Sequence, residues 1–104
     1  MKNIGLISPK DAVSFLKDGA MVIDVRSPAE FASGHLAEAI NIPLADVEKT
    51  APIRVADKNQ ALLLHCQAGV RSGEAQSKLK NLGYVNVFNL GSYQRAESIV
   101  NQPR

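Results

Sequence analysis

A lone cysteine, no tryptophan and five aromatics in all (three Phe, two Tyr) are the scarcest features of this 104-residue sequence. One cysteine excludes an internal disulfide, a thiolate zinc cluster and a C-x-x-C redox pair. Long apolar runs are also missing: within a candidate strand the longest stretch is Ala61 to Leu64, against the roughly 20 residues a membrane helix needs. That excludes a helical membrane span. The 12 basic and 10 acidic residues are interspersed, with a formal net charge of +2. The lack of clustered Lys/Arg and the few aromatics argue against a nucleic-acid surface as the main function. The apolar N-terminal stretch is broken by Pro9 and too short for a signal-peptide core, so the expected compartment is the cytoplasm.

What is present is ordinary globular material, 45% hydrophobic and 21% charged, which argues against disorder. The length fits one domain spanning residues 1–104. The punctuation predicts alternating short strands and helices. Ile4 to Ile7 is a short apolar run. Ser8, Pro9 and Asp11 then open a helix, with a capping Ser, Pro in the first turn and an acid three residues after the cap; Gly19 ends it. Ala20 to Val25 reads as a strand buried on both faces. Ser27, Pro28 and Glu30 repeat the helix-start pattern, with Gly34 as its stop. Ala39 to Ile42 is a further strand, Leu44 to Thr50 a helix and Ala51 to Asn59 a loop. Ala61 to Cys66 is the clearest strand. Val70 to Leu82 has helical spacing, Val85 to Leu90 alternates as a last strand, and a weaker C-terminal helix follows. Strands separated by helices imply a mainly parallel sheet covered on both faces, with ligands beyond the carboxyl ends of its strands.

The segment His65-Cys66-Gln67-Ala68-Gly69-Val70-Arg71-Ser72 carries the chemistry. A cysteine at a strand end is followed by a short glycine-containing loop and a helix start. Backbone N–H groups and a helix dipole then converge on one small volume that suits an anion, either the thiolate or a substrate joined to it. A thiol of pKa about 8.5 is roughly 3% ionised at pH 7, and one of about 6.5 roughly three-quarters. A helix N-terminus with a nearby Arg supplies a shift of that size, so Cys66 needs no adjacent base. The bland reading, an inert buried cysteine, stands beside this one.

The chain resembles the single-domain rhodanese family, the thiosulfate sulfurtransferases. The resemblance rests on Val22-Ile23-Asp24-Val25-Arg26-Ser27-Pro28-Ala29-Glu30-Phe31, Gly34-His35 and Ala39-Ile40-Asn41-Ile42-Pro43-Leu44. It continues through Leu64 to Ser72, with Leu82-Gly83-Tyr84 and Asn86-Val87 behind. It implies a three-layer α/β rhodanese-like fold with a central five-stranded parallel sheet and helices on both faces. It further implies that Cys66 takes the outer sulfur of thiosulfate as a persulfide and hands it to a nucleophile such as cyanide or a thiol. Gln67, Ala68, Gly69, Val70 and Ser72 would then cradle the sulfur, and Arg71 would bind the anionic donor and brace the loop. No metal or organic cofactor is implied; the implied partners are a small anionic sulfur donor and a thiol or sulfur-acceptor protein. Two departures are local: Gly91 is followed by Ser92 and Tyr93 rather than a Gly-Trp pair, and no glycine precedes Ala39.

Asp24 and Arg26, near a neighbouring strand end, either line the pocket or form a structural network; the network is preferred, in a supporting role. Glu30 reads as a helix cap rather than a general acid. His35 reads as a turn residue. His65 alternates away from Cys66, which argues against a Cys–His dyad or a metal site from the two. Two rival functions share these residues. One is a persulfide carrier or interaction module with little thiosulfate turnover. The other is a cysteine phosphatase or arsenate reductase, but those resemble Cys, five residues, Arg, whereas only four separate Cys66 from Arg71.

Overall fold

The computed structural model describes residues 5–104; Ile4, where the expected Ile4–Ile7 run begins, lies outside the described residues. Ser8 caps α1 (Pro9–Lys17) by accepting from the Asp11 N–H, and Ser27 and Glu30 close a full capping box on α2 (Pro28–Ser33). Pro in the first turn of both helices removes an N–H that would have had no intrahelical partner. The strands are β1 (Met21–Asp24), β2 (Ala39–Asn41), β3 (Leu62–His65) and β4 (Val87–Gly91). The remaining helices are α3 (Val47–Arg54), α4 (Val70–Asn81) and α5 (Tyr93–Val100), with a 3-10 turn over Leu44–Asp46.

All strand pairings are parallel, in the order β2-β1-β3-β4. Among the described residues the sheet has four strands where five were expected. Before α1, Leu6 forms only an isolated bridge to Asn89, with one bond from the Ile7 N–H to the Asn89 carbonyl (3.0 Å). Pro9 opens α1 two residues after Ile7 and leaves no room for a longer ladder there.

Strand alternation divides the core. On one face Ile23, Leu62, Leu64 and Val87 pack with Val47, Ala51, Ala75 and Leu79 of α3 and α4. On the other, Val22, Leu63 and Leu90 pack with Ala12 and Leu16 of α1 and Ala96 and Ile99 of α5. The expected three layers are therefore present. Several boundaries differ, among them the helix expected from Leu44, which opens as a 3-10 turn and becomes α3 only at Val47. Helix α3 runs through Pro52 into the expected loop, because burial of Val47, Ala51 and Val55 against the sheet outweighs the hydrogen bond Pro52 cannot make. Strand β4 begins at Val87, and Val85 is left exposed.

Candidate active site

The chain passes from β1 to β2 on one side of it and then crosses back over β1 to β3 on the other. The crevice beyond β1 and β3 is the switch point where α/β sheets place ligands. Asp24 ends β1 and pairs in register with His65, which ends β3; Cys66 follows. The register shifts between Leu64 and His65, so that His65 lies opposite Gly91 rather than Leu90, and the Cys66 N–H donates to the Gly91 carbonyl. The loop after Cys66 is then sewn to the start of α5 by the Ala68–Ser92 bridge and by the Tyr93 N–H donating to the Gln67 carbonyl (3.2 Å).

Cys66 is 1% exposed, packed on the α4 side of the sheet. Its sulfur nevertheless faces donors. The Gly69 N–H lies 3.0 Å from Sγ, the Ser72 N–H 3.4 Å and the Ser72 hydroxyl 3.5 Å. Gly69 turns the chain with φ +97° and serves as N-cap of α4, which aims the helix N-terminus at the sulfur. Burial pushes the Cys66 thiol up. The Ser72 hydroxyl and the N–H groups of Ser72, Gly69 and Ala68 pull it down by more, and the result lies below the usual thiol range.

Ser72 and its neighbours form a buried relay. The Ser72 hydroxyl lies 2.7 Å from Asn89 Oδ1 and 3.1 Å from the Gly69 carbonyl as well as facing the sulfur. Asn89 Oδ1 also accepts from the Gly91 N–H at 2.8 Å. Asn89 therefore ties β4 to the cysteine loop. It lies 17 residues from Ser72 and carries no local motif, so no reading of the sequence singled it out.

Across the crevice Arg26 and Asp24 are locked together. Arg26 Nη2 donates to Asp24 Oδ2 at 2.8 Å and Nε donates to both carboxylate oxygens at 3.0 Å. The carboxylate also accepts the Arg26 N–H (2.9 Å), and Arg26 Nη2 donates to the Gly34 carbonyl (2.7 Å). Asn41 clips the same turn by donating to the carbonyls of Asp24 and Arg26. The hydrogen bond with Asp24 raises the Arg26 pKa above its usual value. The guanidinium lies over the Tyr93 ring at 4.7 Å and reaches Gln67 Oε1 at 3.5 Å. The structural network is thus what the geometry displays, although Arg26 also forms part of a wall. A cleft of about 300 Å³ is lined by Arg26, Glu30, Ser33, Gly34, Gln67 and Tyr93.

Arg71 does not stand free at the loop end. Its Nη1 and Nη2 donate to Glu30 Oε1 (2.6 Å) and Oε2 (2.9 Å), a bidentate pair. Arg71, with the Ser27 backbone N–H, holds the Glu30 carboxyl at about 2. Glu30 therefore caps α2, as its position after Ser27 suggests, and also clamps the cysteine loop. Val70, which opens α4, is 77% exposed. His35 stacks on Phe31 with ring centroids 3.7 Å apart, and its Nδ1 lies 2.7 Å from the Phe31 carbonyl, a turn role. His65 forms no side-chain bond with the Cys66 sulfur: its Nδ1 lies 3.2 Å from the Cys66 carbonyl and its ring meets Tyr93 edge-on at 5.5 Å, while burial lowers its pKa.

The profile of the Rhodanese-like domain family matches residues 8–97. The chain is 42% identical over 69 residues to the thiosulfate sulfurtransferase PspE of Escherichia coli, covering 66% of this chain and 66% of that protein, just under two thirds of its length. It is 32% identical over 90 residues to the thiosulfate sulfurtransferase GlpE of Pseudomonas entomophila, covering 86% of this chain and 81% of that protein. A solved human single-domain sulfurtransferase superposes with a TM-score of 0.76 at 26% identity, covering 95% of this chain and 98% of the other.

Proposed function

The chain belongs to the Rhodanese-like domain family, and we propose that it works there as a sulfurtransferase. In this reading it draws a sulfane sulfur from thiosulfate or a similar small anionic donor. The Cys66 thiolate attacks the outer sulfur, the donor's S–S bond breaks and sulfite leaves. The persulfide formed on Cys66 is then attacked at its outer sulfur by cyanide, a thiol or a sulfur-acceptor protein, which regenerates the thiolate. The convergence of the Gly69 and Ser72 N–H groups on Cys66 Sγ carries this reading. Donors already aimed at the sulfur stabilise an anion without reorganising, for the thiolate before transfer and for the persulfide after it. Gln67, Ala68 and Val70 complete the loop in this scheme, Arg71 braces it through Glu30, and Asp24 and Arg26 hold the opposite wall.

Intact-mass measurement after incubation with thiosulfate tests the chemistry. One added sulfur atom, removed by cyanide and absent from Cys66→Ser, is expected. Uptake that survives Cys66→Ser would overturn it. A second reading, a persulfide carrier, draws on the 1% exposure of Cys66, which suits loading by a docked partner. Steady-state thiosulfate:cyanide turnover separates the two: a carrier accepts sulfur once but cycles slowly.

A further inference from the structure

Charge around the site is cancelled in pairs, although the donor it is to receive is a dianion. Arg26 lines the cleft beside the cysteine loop, and Arg71 lies close enough to Cys66 to interact with its sulfur. The first is satisfied by buried Asp24. The second is gripped at both terminal nitrogens by Glu30, itself a residue of the cleft lining. The remaining lining residues, Ser33, Gly34, Gln67 and Tyr93, bring no cationic side chain. The formal charges of these four groups sum to zero, and the attacking thiolate is itself negative. Electrostatic selection at such a mouth penalises each extra negative charge on an incoming ligand.

We propose that Glu30 is a specificity-determining residue: by clamping Arg71 it weakens the preference for doubly charged sulfur donors and favours donors that carry the same reactive sulfur with less charge. The inference rests on the sulfurtransferase reading above. A donor of the favoured class is an alkyl thiosulfonate, which carries one negative charge where thiosulfate carries two. Cys66 thiolate takes its outer sulfur, the S–S bond breaks, a sulfinate leaves with the bonding pair, and Cys66 is left as the persulfide anion. One charge enters with the donor and one departs with the sulfinate, so the step balances as it does for thiosulfate.

Glu30→Gln is a clean probe, because Gln fills the capping-box position as Glu does while removing the charge that holds Arg71. We compare kcat/KM for thiosulfate and methanethiosulfonate, with cyanide as acceptor, across ionic strength. The variant is expected to gain on the order of fivefold with thiosulfate and clearly less with methanethiosulfonate, since the released cation acts in proportion to donor charge. Its thiosulfate kcat/KM is expected to fall with added salt more steeply than that of the parent protein. Adding Arg71→Met to Glu30→Gln should cancel the gain. Equal changes with both donors, an unaltered salt dependence or a thiosulfate loss would overturn the role of Glu30 while leaving the sulfurtransferase reading intact. Absence of a Cys66 sulfur adduct from either donor in the parent protein would overturn both.

Discussion

Neighbouring strands β1 and β3 end in two buried polar clusters that solve opposite problems. At the end of β1, Asp24 and Arg26 use their charges on each other, and the carboxylate collects main-chain and guanidinium donors together. At the end of β3, the main-chain donors of the Gly69–Ser72 turn gather on a single sulfur, with the Arg71 cation near enough to interact with it but already paired to Glu30. The first cluster is closed and rigid. The second is poised, because its donors stabilise negative charge better than the neutral thiol they surround. The contrast shows how one crevice divides its work: a wall whose electrostatics are already satisfied, and a cradle whose donors await charge.

The largest stability effect should come from breaking the closed cluster. Asp24→Ala leaves Arg26 buried without its partner, which costs about 3–5 kcal/mol. Thermal melting should fall by more than about 10 °C for a domain of this size. A change of only a degree or two would mean that the pair behaves as a surface bridge. Cys66→Ser, which ends sulfur uptake, should by comparison leave the melt nearly in place, since it removes no charge partner.

Gly69→Ala tests the open cluster with a smaller stability cost. An added Cβ meets Gly91 backbone atoms at 3.5 Å, ordinary contact, so the penalty comes from the φ of +97°. Left-handed backbone costs a non-glycine residue about 1–2 kcal/mol. Because the Gly69 N–H is the shortest donor to Sγ, at 3.0 Å, sulfur transfer should drop by at least about tenfold. Wild-type activity with a destabilised fold would show that Gly69 serves only the turn.

The smallest effect concerns His65, which sits between the clusters. Its Nε2 is buried without a hydrogen bond, 3.7 Å from Asp24 Oδ2; the Cys66 carbonyl lies 3.2 Å from its Nδ1, and Arg26 and Tyr93 are its other polar neighbours. Burial lowers its pKa from 6.5 in the folded state. The unfolded chain therefore binds the proton more readily. Its contribution to stability is full above pH 6.5 and is lost as pH falls through the lowered folded value, at no more than about 1.4 kcal/mol per pH unit. Urea melts of His65→Gln should show a flatter acid limb below pH 6.5 than the parent. Parallel limbs would assign the acid sensitivity to other groups.

Much of the architecture is readable along the chain because its causes are local. Ser8-Pro9 and Ser27-Pro28-x-Glu30 begin helices through contacts three residues apart. The buried run through Leu62, Leu63 and Leu64 marks β3, and the cysteine, glycine and helix start behind it mark the cradle. The end of α3 and the length of the sheet were less legible. Pro52 signals a stop that core burial overrides, and a strand before α1 depends on space that only the packed chain defines.

By itself the sequence determined that Cys66 stands at a strand end before a glycine turn and a helix, since backbone preference acts over a few residues. Tertiary structure alone decided that Arg71 finds Glu30 41 residues away, and that Asn89 from β4 reaches Ser72 behind the sulfur. Which charges meet is set by how parallel strands are ordered in the sheet, and residue types along the chain do not encode that order directly.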